Sequence, residues 1–475
     1  MFKKLFLFII LGFSVLIQAQ VDVHGASAEY EYPTDPLVRE KLNQWQDLKF
    51  GVILHWGLYS QNAMNESWPL VNDLWKRRDT TKTYEEYKKW YWDQSKKFNP
   101  VKFNPEKWAE ISKNAGMKYL VFTTKHHEGF SMFDTKESDF KITNGPFAAN
   151  PKADVTKYIF EAYRKQGMMI GAYFSKPDWH SEYFWWPRFA TVNRNANYNT
   201  NEFPKQWQKF RDFTYNQIGE ILSDYGKVDI LWLDGGWVRN PQPGEMEKAY
   251  VPSNKSYYPP YPQDVDMPRI AKMAREKQPG ILVVDRTIHG PYENYRTPEL
   301  TIPKTQLKDP WETCLTIAKG WGYTKKTPIK SGTWIIQTLA EVVAKGGNML
   351  LGWGPTPEGE FPEYINKPLE EIGVWLKANG EAIYSTRITE NYNDGSTWFT
   401  QSKDGKKKYA IFCIKEGTTI PAVIEWKGNI PGKGKKIKLI STGKNVNWKL
   451  EKDAVVIEIP KELIGKQTAA LAFSF

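Results

Sequence analysis

The sequence has 475 residues, 41% hydrophobic and 25% charged, with a formal net charge of +11. That balance is ordinary for a globular protein and excludes a disordered or membrane-embedded chain, while the length exceeds one small domain. The aromatic share is unusual: 21 Trp, 25 Tyr and 24 Phe make 15% of the chain, more than a core normally needs.

Lys3 and Lys4, an apolar run from Leu5 to Ile17 and then Gln18-Ala19-Gln20 read as a secretory signal cut after Ala19. The run falls short of the ~20 residues of a membrane-spanning helix. Residues 1–19 are therefore expected to be removed and the protein exported, periplasmic or secreted, with no membrane span. Cys314 and Cys413 are too few for a disulfide framework or a Cys-based metal site. Residues 401–475 hold 15 basic and 7 acidic residues, in runs such as Lys406-Lys407-Lys408 that read as solvated hairpin turns. The remainder is nearly neutral, which argues against a nucleic-acid groove.

Lys49 to Leu54 is an apolar run closed by His55, the pattern of a buried strand with a polar end. Residues 60–100 are irregular and rich in Trp and Tyr, as in a long loop with short helices. Asn104-Pro105 opens a helix with Trp108, Ile111 and Ala115 on one face, and Gly116 stops it. A strand follows from Met117, ending in Lys125-His126-His127-Glu128-Gly129. The pattern then repeats. Asp154 caps a helix ended by Gly167, a strand runs from 168 to Ser175, and a helix spans about 205–223. Val228 to Leu233 is the next strand, closed by Asp234 and two glycines that can turn the chain sharply.

Residues 239–263 form a Pro- and Tyr-rich loop, and Asp266 with Pro268 starts a helix ending before Pro279. Residues 281–284 make a strand with Asp285 and Arg286 at its end. Residues 311–315, a helix near 333–345, residues 347–353 and a helix near 363–378 complete the series. This alternation predicts parallel strands, at least seven of them. No glycine-rich phosphate loop follows the first strand, so a (β/α)8-like, TIM-type barrel over 20–384 fits better than an open sheet. From 385 the texture changes to short strands between Gly, Lys and Asp turns (408–414, 422–426, 436–441, 454–459, 469–475). A C-terminal antiparallel β-sandwich over 385–475 is expected, without a catalytic constellation.

In such a barrel chemistry sits at the C-terminal strand ends. These collect His55, His126, His127, Tyr173, Ser175, Trp232, Asp234, Asp285 and Arg286. A lone strand-end Asp or His is often a cap or a structural group, but several converging on one mouth point to function. One reading is a metal site of His126, His127, Glu128 and Asp234. It is weakened because adjacent strand residues point to opposite faces and no His-x-His or His-x-x-x-His spacing is present. The other is a polar lining for sugar hydroxyls, with Trp and Tyr on the apolar faces of the ring, which the aromatic excess favours.

Lys49-Phe-Gly-x-x-x-His55-Trp56-Gly57, Lys125-His126-His127-Glu128-Gly129-Phe130, Leu231-Trp232-x-Asp234-Gly235, Trp311-Glu312-x-Cys314-x-x-Ile317 and Trp321-Gly322-Tyr323 closely resemble the α-L-fucosidases of glycoside hydrolase family 29. The resemblance runs in order from about Leu42 to Pro357. It implies an exo-acting, cofactor-free retaining hydrolase of terminal α-L-fucosyl residues on oligosaccharides or glycoconjugates, working through two carboxyl groups. By the same resemblance Asp234 matches the nucleophile. Glu299, just before Leu-x-x-Pro and ahead of Trp311-Glu312, fits the acid/base better than the alternative, Glu293. His55, His126, His127, Tyr173, Trp232 and Arg286 match substrate-contacting positions. Asn65-Glu66-Ser67-Trp68 stands where many members have adjacent Glu-Trp, so Glu66 and Trp68 carry over across an inserted serine. Glu128 reads as support for its strand end. Two alternatives stay open: a catalytically silent fucose-binding protein, and a retaining hydrolase for a related sugar such as galactose. Linkage preference is expected to reside in loops 60–100, 180–204 and 239–263.

Overall fold

Seven of the apolar runs are parallel strands: β1 (Phe50–Leu54), β2 (Tyr119–Lys125), β3 (Met169–Ser175), β4 (Ile230–Asp234), β5 (Leu282–Asp285), β6 (Glu312–Thr316) and β7 (Asn348–Trp353). The computed structural model describes residues 29–71, 78–246, 259–325 and 327–475. The leader expected over 1–19 lies outside them, as does part of the 239–263 loop.

The strands follow the order β5-β4-β3-β2-β1-β7-β6. β5 and β6 are separated by an extended segment, whose Glu293 bridges Val284 while Arg296 and Glu299 bridge Trp311 and Cys314. The Asn294 amide donates to the Val283 carbonyl at 3.0 Å and the Leu300 amide to the Cys314 carbonyl at 2.9 Å. The gap in the curled sheet between β5 and β6 is thus spanned by an irregular segment that carries both candidate acids.

Strand alternation sorts side chains into two layers. Leu231, Leu233, Val283, Leu120 and Phe122 pack outward against helices, while Ile230, Trp232, Leu282, Val284, Tyr119 and Val121 fill the interior. The helices are α1 (Pro36–Leu48), α2 (Tyr84–Trp92), α3 (Pro105–Asn114), α4 (Val155–Lys165), α5 (Pro204–Asp224), α6 (Met267–Lys277), α7 (Gly332–Ala344) and α8 (Asn366–Asn379). Asn104 caps α3 by accepting from the Lys107 amide at 3.0 Å, an interaction typically worth ~1 kcal/mol. Asp154 precedes α4 without a side-chain capping bond, contrary to expectation. It accepts instead from the Tyr225 hydroxyl at 2.9 Å, and burial pushes its carboxyl up to about 6.

Helix α1 was not foreseen. Its Val38, Leu42 and Trp45, spaced at i, i+4 and i+7, join the barrel interior. Trp45 stacks on Tyr295 at 3.9 Å, and the Trp45 carbonyl accepts from Asn348 at the start of β7. Lys41 pairs with Asp229, just before β4, at 2.6 Å. The helix therefore closes the N-terminal end of the barrel, opposite the strand ends that carry the candidate site.

The C-terminal unit holds β8 (Thr386–Arg387), β9 (Asn393–Asp394), β10 (Thr397–Ser402), β11 (Lys408–Cys413), β12 (Val423–Lys427), β13 (Ile437–Leu439), β14 (Lys444–Glu451), β15 (Ala454–Glu458) and β16 (Ala470–Ser474). All pair antiparallel around Phe399, Ile424, Trp426, Val455 and Phe473. The other face of β11 and β16 packs on the barrel, where Gln337 of α7 donates to the Ala469 carbonyl at 2.9 Å and Trp375 of α8 to Ala470 at 2.9 Å. Cys314 and Cys413 are both free, one in each unit. No helix among the described residues is long and apolar enough to cross a membrane.

Candidate active site

Ile230, Trp232 and Asp234 alternate inward along β4, so the carboxylate that ends the strand faces the mouth of the barrel. Two groups hold it. The Tyr173 hydroxyl donates to Oδ2 at 2.7 Å and Arg286 Nη1 donates to Oδ1 at 2.8 Å. His127 Nε2 stands 3.7 Å from Oδ2. Burial alone would raise the carboxyl, but the Arg286 charge, with His127 and the Tyr173 bond, holds it well below the usual carboxylate range. The chain turns away at once. Gly235 has φ +90°, and a Cβ there would lie 2.3 Å from Pro177 Cδ.

Arg286 follows β5 and extends the inward series Leu282, Val284. Its second terminal nitrogen donates to Glu299 Oε2 at 2.9 Å, while Trp321 Nε1 donates to Glu299 Oε1 at 3.2 Å. Asp234 and Glu299 therefore share one guanidinium fork. Glu293 is placed differently: it is buried and paired with His289 Nδ1 at 2.9 Å. The guanidinium lies 4.4 Å from the centroid of the Trp232 ring. Trp232 itself is 1% exposed and donates its indole N–H to Glu312 at 3.2 Å, which makes it the floor under Arg286.

The alternation argument against His126 and His127 sharing a face does not hold. β2 shifts register between Thr123 and Lys125 and ends there, so both histidines lie in the following turn with ring centroids 4.3 Å apart. His55 joins them, 5.8 Å from His126, 5.5 Å from Tyr173 and 5.1 Å from Trp321. Their charge states diverge. Burial drives His55 and His127 well below the ordinary histidine value, with the charge of His126 acting the same way. Burial also opposes charge on His126, but the negative charge of the Glu128 carboxylate, 3.4 Å from Nδ1, raises it. Burial thus disfavours charge on two of the imidazoles, while the third is shifted toward holding it. No group of three or more His, Cys, Asp or Glu among the described residues is arranged to hold a metal ion.

Ser67, which separates Glu66 from Trp68, is buried and its hydroxyl lies 2.7 Å from His126 Nδ1. The inserted serine is thus part of the site. Glu66 contributes charge that favours protonated His126. Trp68 packs 5.1 Å from His127, with Trp179 and Trp237 at 5.4 and 5.6 Å. Arg194 lies over both Trp68 and Trp237, at 4.5 and 5.0 Å. Ser67, Trp321, Trp237, Arg194 and Glu312 were not singled out from the sequence. Trp321, Glu312 and Ser67 stood within motifs already noticed, Ser67 only as an insertion.

A barrel with a carboxylate pair at its mouth and a C-terminal sandwich has well-characterised counterparts. It superposes on α-L-fucosidase isoenzyme 1 of Paenibacillus thiaminolyticus with TM-score 0.72 and 27% identity, covering 92% of this chain and 99% of that one. The Thermotoga maritima α-fucosidase, solved with a mechanism-based inhibitor, matches with TM-score 0.68 and 27% identity over 94% and 99% of the two chains. Human plasma α-L-fucosidase is 28% identical over 455 residues, 92% of this chain and 90% of its own. The class is that of the glycoside hydrolases. The α-L-fucosidase family model matches residues 17–381, and the chain belongs to that family, glycoside hydrolase family 29.

Proposed function

We propose that the protein is an exo-acting, retaining α-L-fucosidase in which Asp234 is the nucleophile and Glu299 the acid/base. The observation that carries this reading is the Arg286 fork, which joins Asp234 and Glu299 at 2.8 and 2.9 Å. Two carboxylates on adjacent nitrogens of one guanidinium are compatible with the ~5–5.5 Å separation of retaining pairs. Asp234, kept ionised, attacks the anomeric carbon, and the glycosidic C–O bond breaks as Glu299 passes its proton to the leaving oxygen. Water then attacks the fucosyl ester, its proton going to Glu299, and the bond to Asp234 breaks with its electron pair returning to the carboxylate.

His55, His126, His127 and Glu66 read as partners of the sugar hydroxyls, and Trp68 as an apolar wall. His55 Nδ1 and His127 Nδ1 are buried without a protein partner, and such groups normally find one in a ligand or an ordered water. Tyr173 and Trp232, both 1% exposed, support the site from beneath. The carboxylate pair favours an enzyme over a silent fucose-binding protein, and release of an aryl group from an α-L-fucoside separates the two. Comparison with the matching aryl galactoside decides the sugar. The substrates proposed are fucosylated oligosaccharides or glycoconjugates. Export after removal of residues 1–19 is checked by N-terminal sequencing of the exported protein.

A further inference from the structure

Glu312 opens β6 inside the barrel and is wholly buried, yet the reaction steps above do not use it. Burying a carboxyl is costly unless donors meet it, and here they converge. The Tyr119 hydroxyl donates to Oε2 at 2.6 Å and Trp232 Nε1 donates to Oε1 at 3.2 Å. Trp232 in turn underlies both groups that bond Asp234. Tyr173 stacks on its ring at 5.3 Å with 29° between planes, and the Arg286 guanidinium lies 4.4 Å from its centroid.

We propose that Glu312 is a positioning residue for the reaction, acting through Trp232 to hold Tyr173 and Arg286 in place against Asp234. The inference rests on the reading of Asp234 as nucleophile. Two donors set on one rigid ring cannot drift independently, and preorganised donors are what a reacting carboxylate needs. Trp232 could slide or tilt within the barrel if its N–H had no fixed acceptor, and both donors would move with it.

The groups facing Glu312 are Tyr119 from β2, Trp232 from β4, Arg286 beyond β5, Tyr295 from the closing segment and Cys314 on its own strand. Burial pushes the Glu312 carboxyl up to about 7, against the pull of the Tyr119 and Trp232 hydrogen bonds and the Arg286 charge. The anchor therefore changes charge within the neutral range, and an ionised acceptor grips the indole N–H more strongly than a neutral one.

The test compares Glu312→Gln, which keeps an acceptor but loses the charge, with Glu312→Met, which keeps the volume and loses both. On an aryl α-L-fucoside the Met variant should lose about tenfold or more in kcat with KM within about twofold, the pattern of disturbed geometry rather than lost binding. The Gln variant should recover most of that kcat and lose a titration near neutrality from the kcat–pH profile. A folded Met variant with wild-type kcat, or a Gln variant as slow as Met, overturns the proposal. Should Glu312→Met not fold, the Gln profile decides: loss of the neutral titration supports the anchor, and a profile identical to wild type overturns it. Asp234→Gly is assayed alongside. Activity in that variant defeats the nucleophile reading, whereas an inactive Asp234→Gly beside unaffected Glu312 variants defeats this inference alone.

Discussion

Asp234 and Glu299 are tied together by one guanidinium, with Arg286 Nη1 bonded to the first and Nη2 to the second. The link explains how two carboxylates share a half-buried mouth. Each lies against the same cation, and they reach it from different directions: Asp234 at the end of β4, Glu299 on the irregular segment before β6. In the proposed reaction it also ties their chemistry, because Glu299 gives up its proton as Asp234 becomes an ester, so Arg286 faces a single carboxylate charge before and after the first step.

Arg286 should accordingly matter more than a single substrate contact. Arg286→Met is expected to lower kcat/KM on an aryl α-L-fucoside by at least about a hundredfold, the scale of losing a preorganised charge partner. Arg286→Lys keeps the charge but cannot hold both carboxylates in a fork, so it should recover only part of the loss. Full recovery by lysine would show that charge alone suffices.

The pH dependence of stability carries a sign that can be checked. Asp234 is depressed when folded, so its contribution is present above its unfolded value of ~3.9 and is lost as pH falls through the folded value. Asp234→Asn should remove that dependence, bringing the acid limb of stability closer to flat in urea titrations at successive pH. An unchanged limb would contradict the Arg286 pairing.

His126 runs the other way. Its folded value is raised by Glu128, so the stability it adds is present below ~6.5 and is lost as pH rises through the folded value. Glu128→Gln should bring the imidazole below its ordinary value, as burial has already done for His55 and His127. Titration of the histidine resonances by NMR reads this directly, and a His126 value that stays raised contradicts the assignment.

Gly235 is required by the turn that follows β4. With φ +90° and Pro177 Cδ 2.3 Å from a built Cβ, Gly235→Ala should cost more than ~1 kcal/mol of stability. It should also lower kcat, because Asp234 is the neighbouring residue. Thermal unfolding at one pH checks the first point, and a melting temperature equal to wild type would refute it.

Much of this was legible because strand ends are local features. The apolar runs before His55, Asp234 and Arg286 announce buried strands, and period-two alternation puts Asp234 and Arg286 on the inner face with Trp232 and Val284. What escaped depends on contacts between distant segments. Ser67 looked like an interruption of a motif, but its partner His126 lies 59 positions away. Trp321 and Glu299 meet only because the segment before β6 folds back along the barrel. The paired histidines were misjudged because a register shift in β2 is invisible in a run of Thr and Lys. Helix α1 could have been found from Asp35-Pro36 and the Val38, Leu42, Trp45 spacing. Its role as the barrel's floor could not.

The measurement that bears most directly on the proposed pair is chemical rescue of the acid/base variants on an activated aryl α-L-fucoside. Glu299→Ala should be slow in buffer, regain activity with added azide, and release a fucosyl azide with the anomeric configuration of the substrate, as two displacements require. Glu293→Ala, whose carboxylate is paired with His289, should show no rescue. Rescue of Glu293→Ala, or an azide-insensitive Glu299→Ala, would contradict the assignment.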